Sequence, residues 1–179
     1  MNIANKVSIF RILSVPFFVA CLIYYNEERS FLRYLALFIF SLAILSDAVD
    51  GYLARKIKDK SSIGFIIDPL ADKLLLMSAF IGLRMIDLKI RFPLWVTFIV
   101  ISRDLIILLG AMLIYLLKGH LNLRPTRWGK LTTFFQTLAV ISVLVQFKFS
   151  YISWTIAIIF TIVSGFDYIR KGLTELYSQ

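Results

Sequence analysis

Asp47, Asp50, Asp68 and Asp72 are the residues most able to do chemistry in a chain that is otherwise rich in apolar side chains. The first two are three positions apart, and the last two are four apart. On helices, each spacing puts a pair of carboxylates on one face. Two such pairs turned toward each other would make a box of anionic oxygens. Oxygen-only, anionic ligand sets suit hard divalent cations such as Mg2+ or Mn2+. The single cysteine, Cys21, excludes an internal disulfide and a cysteine-based metal site. The lone histidine, His120, argues against a histidine site as well.

The elements that carry these residues are read from composition. Of 179 residues, 59% are hydrophobic, above the usual share for a soluble domain. Several apolar runs approach the twenty or so residues that a bilayer requires. The expected fold class is an all-α integral membrane protein with six transmembrane helices. The spans are placed at about 7–25, 31–57, 63–86, 93–117, 131–147 and 151–168. Residues 1–6 form a short interfacial segment ahead of the first span, and Pro16 is positioned to kink that span. Lys6 and Arg11 precede an apolar run as in a signal peptide, but the run continues through Tyr25, so it reads as a retained first helix. No polar stretch is long enough to fold separately, so residues 1–179 form one membrane domain.

The formal net charge is +9. In a soluble protein that would suggest nucleic acid. Here the cations sit in short connections between apolar runs, which fits membrane orientation and anionic headgroups, and no nucleic-acid partner is expected. One side carries Lys6, Arg11, Arg55, Lys56, Lys58, Lys60, Lys118, Arg124, Arg127, Lys130, Arg170 and Lys171. The other carries Arg29, Arg33, Lys89, Arg91 and Lys148, partly offset by Glu27, Glu28 and Asp87. The richer side is cytoplasmic by the positive-inside rule, and so are both termini. The aspartates then lie at the cytoplasmic ends of helices 2 and 3. Acidic residues in membrane segments are costly and usually mark a pathway or a site. One aspartate would read as the fringe of a helix end, whereas four in two helical pairs read as a site.

The residues between the pairs sharpen that reading. Asp47-x-x-Asp50-Gly51-x-x-Ala54-Arg55, eight residues, then Gly64-x-x-x-Asp68-x-x-x-Asp72 resembles the full signature of the CDP-alcohol phosphatidyltransferase family. Every specified position matches, and the six-span layout agrees with the family across nearly the whole chain. The resemblance implies transfer of a phosphatidyl group from CDP-diacylglycerol to an alcohol, with release of CMP. It implies that Asp47, Asp50, Asp68 and Asp72 border two Mg2+ or Mn2+ ions, and that Asp72 is the general base for the attacking hydroxyl. Gly51, Ala54 and Gly64 would line the cytidine slot, and Arg55 would steady the acidic cluster or the phosphates. Asn5-x-x-Ser8-x-x-Arg11 is similar to the family's first-helix pattern and would add polar contacts to the CDP moiety; alone, it also reads as a helix cap and a cytoplasmic anchor. The family further implies a homodimer, and the membrane is read as the bacterial inner membrane with the site facing the cytoplasm.

A second polar set would choose the acceptor. Arg103-Asp104 falls inside the fourth span, where it reads either as a buried structural pair or as part of a site. Arg124, Arg127 and Lys130 lie in the loop before the fifth span, where they either follow the positive-inside bias or bind an acceptor phosphate. Gly129-Lys130-Leu131-Thr132-Thr133, the opening Met1-Asn2-Ile3-x-Asn5, Asp68-Pro69-Leu70-Ala71-Asp72-Lys73, and Ser164-Gly165 before Tyr168 are similar to the branch that uses glycerol 3-phosphate. Ser102-Arg103-Asp104 and Gln136 are instead similar to cardiolipin synthases, which use phosphatidylglycerol. Glycerol 3-phosphate is favoured, because a phosphate pocket accounts for three cations at once. A divalent-cation transporter is the non-enzyme alternative, but such sites lie near the midplane and often within repeats. The prediction here is that Asp72→Asn nearly abolishes turnover while the protein still folds and binds CDP-lipid. Unaltered turnover in that variant would remove Asp72 as the base.

Overall fold

Apolar runs alternate with short polar punctuation, and each run becomes one helix. The computed structural model describes the backbone of residues 3–56, 64–118 and 126–177, and the side chains of residues 9–46, 73–114, 116–117 and 126–174. The helices are α1 (Ile3–Ile23), α2 (Phe31–Lys56), α3 (Gly64–Met85), α4 (Leu94–Lys118), α5 (Arg127–Leu144) and α6 (Ser150–Tyr177). Among the described residues there is no strand. The chain divides into two compact units, one of Met1–Arg91 with Val143–Phe147, the other of Phe92–Ser142 with Lys148–Gln179.

In the first unit α1 packs against both α2 and α3. Phe18, Cys21 and Leu22 of α1, Ala36, Phe40 and Ala43 of α2, and Leu75, Ala79, Phe80 and Leu83 of α3 are all buried. The Phe18 and Phe40 rings stand 5.6 Å apart. Gly82 lets α3 close on α1, since a Cβ there would lie 2.5 Å from Leu22 Cδ1. Small residues at close crossings are how helices pack where lipid removes the hydrophobic drive between them.

The turns follow from local chemistry. The Asn26 side chain accepts a hydrogen bond from the Arg29 N–H at 2.7 Å, which caps the 3-10 turn Glu27–Arg29 between α1 and α2. Pro93 stands just before α4, and its carbonyl accepts from Val96 N–H at 3.1 Å. Proline suits a helix start, because its missing N–H would have no intrahelical partner there. Gln146, just past α5, has φ 60, a left-handed conformation uncommon outside glycine. Its side chain compensates. Oε1 accepts from Ile90 N–H at 2.9 Å, and Nε2 donates to Ile90 O at 2.9 Å and Val143 O at 2.7 Å. The amide thus imitates a backbone partner for Ile90.

In the second unit α4 packs on α6, and polar side chains join α5 to α6. Ser142 and Ser153 share a hydrogen bond of 2.7 Å. Gln136 Nε2 donates to Thr161 Oγ1 at 3.1 Å, and Thr132 Oγ1 donates to Phe160 O at 2.9 Å. Phe135 stacks on Phe160 with centroids 4.7 Å apart. Leu94–Ile114 and Ser150–Thr174 are long and apolar enough to cross a membrane, and only 28% and 22% of their most apolar windows are buried. A soluble core helix would be mostly buried, whereas these faces are the kind that lipid covers. Ile9–Ile23 and Phe31–Ser46 are shorter apolar helices.

Several expected boundaries change. The fifth helix begins at Arg127 rather than Leu131, and ends at Leu144. The sixth runs on past Arg170 and Lys171 to Tyr177. A Lys171–Asp167 ion pair of 2.8 Å, at helical i,i+4 spacing, supports that polar extension. Residues 3–6 are continuous with α1. Replacing Gln146 with Ala should lower stability by about 1–3 kcal/mol, because Ile90 loses both partners. Thermal unfolding in detergent measures this, and an unchanged midpoint would show that the Ile90 contacts carry no stability.

Candidate active site

The signature residues occupy helical backbone on two elements that share a neighbour. Asp47, Asp50, Gly51, Ala54 and Arg55 lie in α2, and Gly64, Asp68 and Asp72 lie in α3. Both helices pack on α1, which carries Asn5, Ser8 and Arg11. Helical register puts Asp47 with Asp50, and Asp68 with Asp72, on common faces. The side chains of residues 47–72, and of Asn5 and Ser8, lie outside the described ones. Arg11 is described, and it is 2% exposed on an otherwise apolar helix. Burying a guanidinium so fully is costly without anionic or polar company.

A polar cavity of about 500 Å3 also lies in this unit, lined by Tyr25, Glu27, Arg33, Asp87, Lys89, Ile90 and Gln146. Those residues cluster where α1 ends and α2 begins, whereas the aspartate motif runs from the far end of α2 into α3. The cavity therefore belongs to the opposite ends of the helices.

In the second unit, Arg103 is buried at mid-helix in α4. Its Nη1 donates to Asp104 Oδ1 at 2.6 Å, and the two side chains are 8% and 1% exposed. Its Nη2 donates to Ser164 Oγ on α6, and its Cζ stands 5.7 Å from the centroid of the Tyr168 ring. Arg103 is thus held by an anion, a hydroxyl and an aromatic face together.

Arg127 and Lys130, expected in a loop, stand exposed in the first turn of α5. The physical reason is Thr126, whose Oγ1 accepts from the Gly129 N–H at 3.0 Å. That is an N-cap, which satisfies a backbone donor the helix start leaves over. Gly129 brings this turn onto α6. A Cβ there would lie 3.3 Å from Thr126 Oγ1, 3.5 Å from Tyr168 Cε2 and 3.7 Å from Ser164 Oγ. The basic turn and Arg103 therefore converge on the same two side chains of α6. Arg124 lies outside the described residues.

From sequence, Ser164 and Tyr168 were marked only by their similarity to the glycerol-3-phosphate branch, and Thr126 had no assigned role. The available signals were a threonine three residues before Gly129 and two polar groups four apart in an apolar run. Gln136 is fully buried, and its amide nitrogen is engaged by Thr161 in joining α5 to α6.

The family model for CDP-alcohol phosphatidyltransferases matches residues 1–163. The chain belongs to the CDP-alcohol phosphatidyltransferase family. It is therefore a transferase, and the match runs through both structural units. A probable phosphatidylglycerophosphate synthase of Mycobacterium tuberculosis is 33% identical over 98% of this chain and 83% of its own length. The CDP-diacylglycerol–glycerol-3-phosphate 3-phosphatidyltransferase of Bacillus subtilis is 32% identical over 98% of this chain and 97% of its own. The enzyme of the same name from Aquifex aeolicus is 28% identical across 100% of both chains. Family membership sets aside the cation-transporter reading.

Thr126→Ala should cost about 1 kcal/mol through loss of the cap. Amide exchange over residues 127–130 would rise, and unchanged protection there would show that the cap does not hold the turn.

Proposed function

We propose that this phosphatidyltransferase moves the phosphatidyl group of CDP-diacylglycerol to a hydroxyl of glycerol 3-phosphate and releases CMP. The observation that carries the reading is the complete signature on two helices that both pack on α1. The names of the relatives from Bacillus subtilis and Aquifex aeolicus supply the acceptor. The acceptor oxygen attacks the phosphatidyl phosphorus, the bond to CMP breaks, and Asp72 takes the hydroxyl proton.

The donor set suits a hard cation, because Asp47, Asp50, Asp68 and Asp72 offer only carboxylate oxygens. These four would hold two Mg2+ or Mn2+ ions. Bound there, such ions would neutralise the diphosphate and the charge on departing CMP. Asn5, Ser8, Arg11, Gly51, Ala54, Arg55 and Gly64 bind the CDP-lipid in this reading. Arg103, Arg124, Arg127 and Lys130 take the acceptor. Its phosphate needs several cations in one place, and Arg103 and the α5 turn share an edge of α6.

The proposal includes six membrane-spanning helices in one domain, both termini in the cytoplasm of a bacterial cell, and the site at the cytoplasmic face of the inner membrane. The positive-inside distribution of Lys and Arg supports this orientation. A homodimer is also proposed, from the family resemblance.

In detergent, CDP-diacylglycerol with glycerol 3-phosphate should release CMP when Mn2+ or Mg2+ is present, and chelation should stop it. Product mass identifies the acceptor. Release with phosphatidylglycerol alone would move the assignment to cardiolipin synthesis, and no metal-dependent release with any alcohol would end the transferase reading. Lys130→Ala and Arg124→Ala should each raise the acceptor KM about tenfold, the size of one charge-assisted hydrogen bond. Unchanged acceptor kinetics in both would remove the basic pocket.

A further inference from the structure

Arg103 is the group in the second unit whose surroundings exceed what a structural ion pair needs. Asp104 already supplies a counter-charge at 2.6 Å. Two further contacts come from α6, the Ser164 hydroxyl and the Tyr168 ring. Yet Arg103 Nε has no hydrogen-bond partner among the described residues, in a side chain only 8% exposed. A buried charged donor left over is costly and calls for an acceptor.

Ser164 is itself unusual. Serine and threonine hydroxyls in helices commonly turn back to a carbonyl three or four residues earlier. Here Ser14 bonds Phe10 O, Ser78 bonds Leu75 O, Ser142 bonds Ala139 O and Thr161 bonds Ala157 O. Ser164 does not. Thr132 Oγ1 of α5 lies 2.9 Å from the Phe160 carbonyl, four residues before Ser164. Ser164 is fully buried, and its hydroxyl accepts from the Arg103 fork. Tyr168, one turn further on, offers its face to the same guanidinium.

We propose that Ser164 and Tyr168 are positioning residues that aim the Arg103 fork at the acceptor's phosphate and thereby set acceptor selectivity. This rests on the acceptor reading given above. Asp104 and Ser164 each anchor one terminal nitrogen, and Tyr168 limits rotation of the plane. Nε–H and the second N–H of a terminal nitrogen then remain for two oxygens of one anion, the geometry in which a guanidinium binds phosphate. Lys130 follows Gly129 in the first turn of α5, whose Gly129 meets Ser164 and Tyr168, and stands exposed there. A terminal phosphomonoester presents three oxygens to the Arg103 fork. The phosphodiester of a diacyl lipid presents two and brings bulk on both sides. The site therefore selects a small phosphomonoester alcohol over a lipid acceptor.

The test measures steady-state kinetics for both substrates in the purified full chain, with Ser164→Ala, Ser164→Thr, Tyr168→Leu and, as a control, Ser153→Ala. Ser153 bridges to Ser142 on the same pair of helices but touches no part of this cluster. Ser164→Ala is expected to raise the KM for glycerol 3-phosphate about tenfold, the size of one hydrogen bond to a charged group. The KM for CDP-diacylglycerol should stay within twofold, about the scatter of such constants. Ser164→Thr should restore the acceptor KM, Tyr168→Leu should raise it, and Ser153→Ala should leave it unchanged. A rise in both KM values together, or a lowered melting midpoint without a change in acceptor KM, would make Ser164 a helix pin and overturn the proposal. If Ser164→Ala does not accumulate, an unchanged acceptor KM in Tyr168→Leu overturns it equally. Failure of the parent reading shows separately, as absence of glycerol-3-phosphate-dependent CMP release in the unsubstituted enzyme.

Discussion

The close packing of α1 against α2 and α3 is the constraint on which the rest of the first unit depends. Lipid tails are as apolar as leucine, so helices in a membrane gain little from burying leucine against leucine. They gain from shape. Gly82 accepts the end of Leu22, Phe18 meets Phe40, and alanines at 36, 43 and 79 keep the backbones near one another. That arrangement brings two carboxylate-bearing helices onto one partner. Without it, Asp47–Asp50 and Asp68–Asp72 would be two unrelated acidic pairs on separate helices.

The second unit solves a related problem with hydrogen bonds. Its helices carry buried serine, threonine, glutamine, arginine and aspartate, each of which costs free energy in an apolar setting unless satisfied. The polar groups answer one another in layers along α5 and α6. Ser142 meets Ser153, Gln136 meets Thr161, and Thr132 meets the Phe160 carbonyl.

Division of labour follows between the two units. The first carries a strongly patterned motif, as the proposed role of holding cations and a diphosphate would require. The second carries isolated polar residues, and their meaning depends on which of them meet. If the proposed roles hold, an acceptor site of that kind can change its selectivity by small substitutions while the donor site stays the same.

Much was legible from residue order alone. Apolar period and polar punctuation located the first four helices to within a few residues, because helix rise fixes how many residues an apolar run of given length needs. The aspartate spacings point to paired carboxylates on helical faces, because three and four residues make one helical face, and α2 and α3 are indeed helical there. The boundaries that shifted did so for local reasons, the Thr126 cap at one and the Lys171–Asp167 pair near the other. What only tertiary structure decided was the company of each isolated polar group. Ser164 lies 61 residues from Arg103, and Gln146 lies 56 from Ile90. No local pattern encodes such distances, because they depend on how whole helices cross. The sequence by itself determined the family, the helices and the carboxylates. The fold decided that Arg103 and the basic turn of α5 share the Ser164–Tyr168 edge of α6, because that meeting requires Gly129 to let one helix start rest against another.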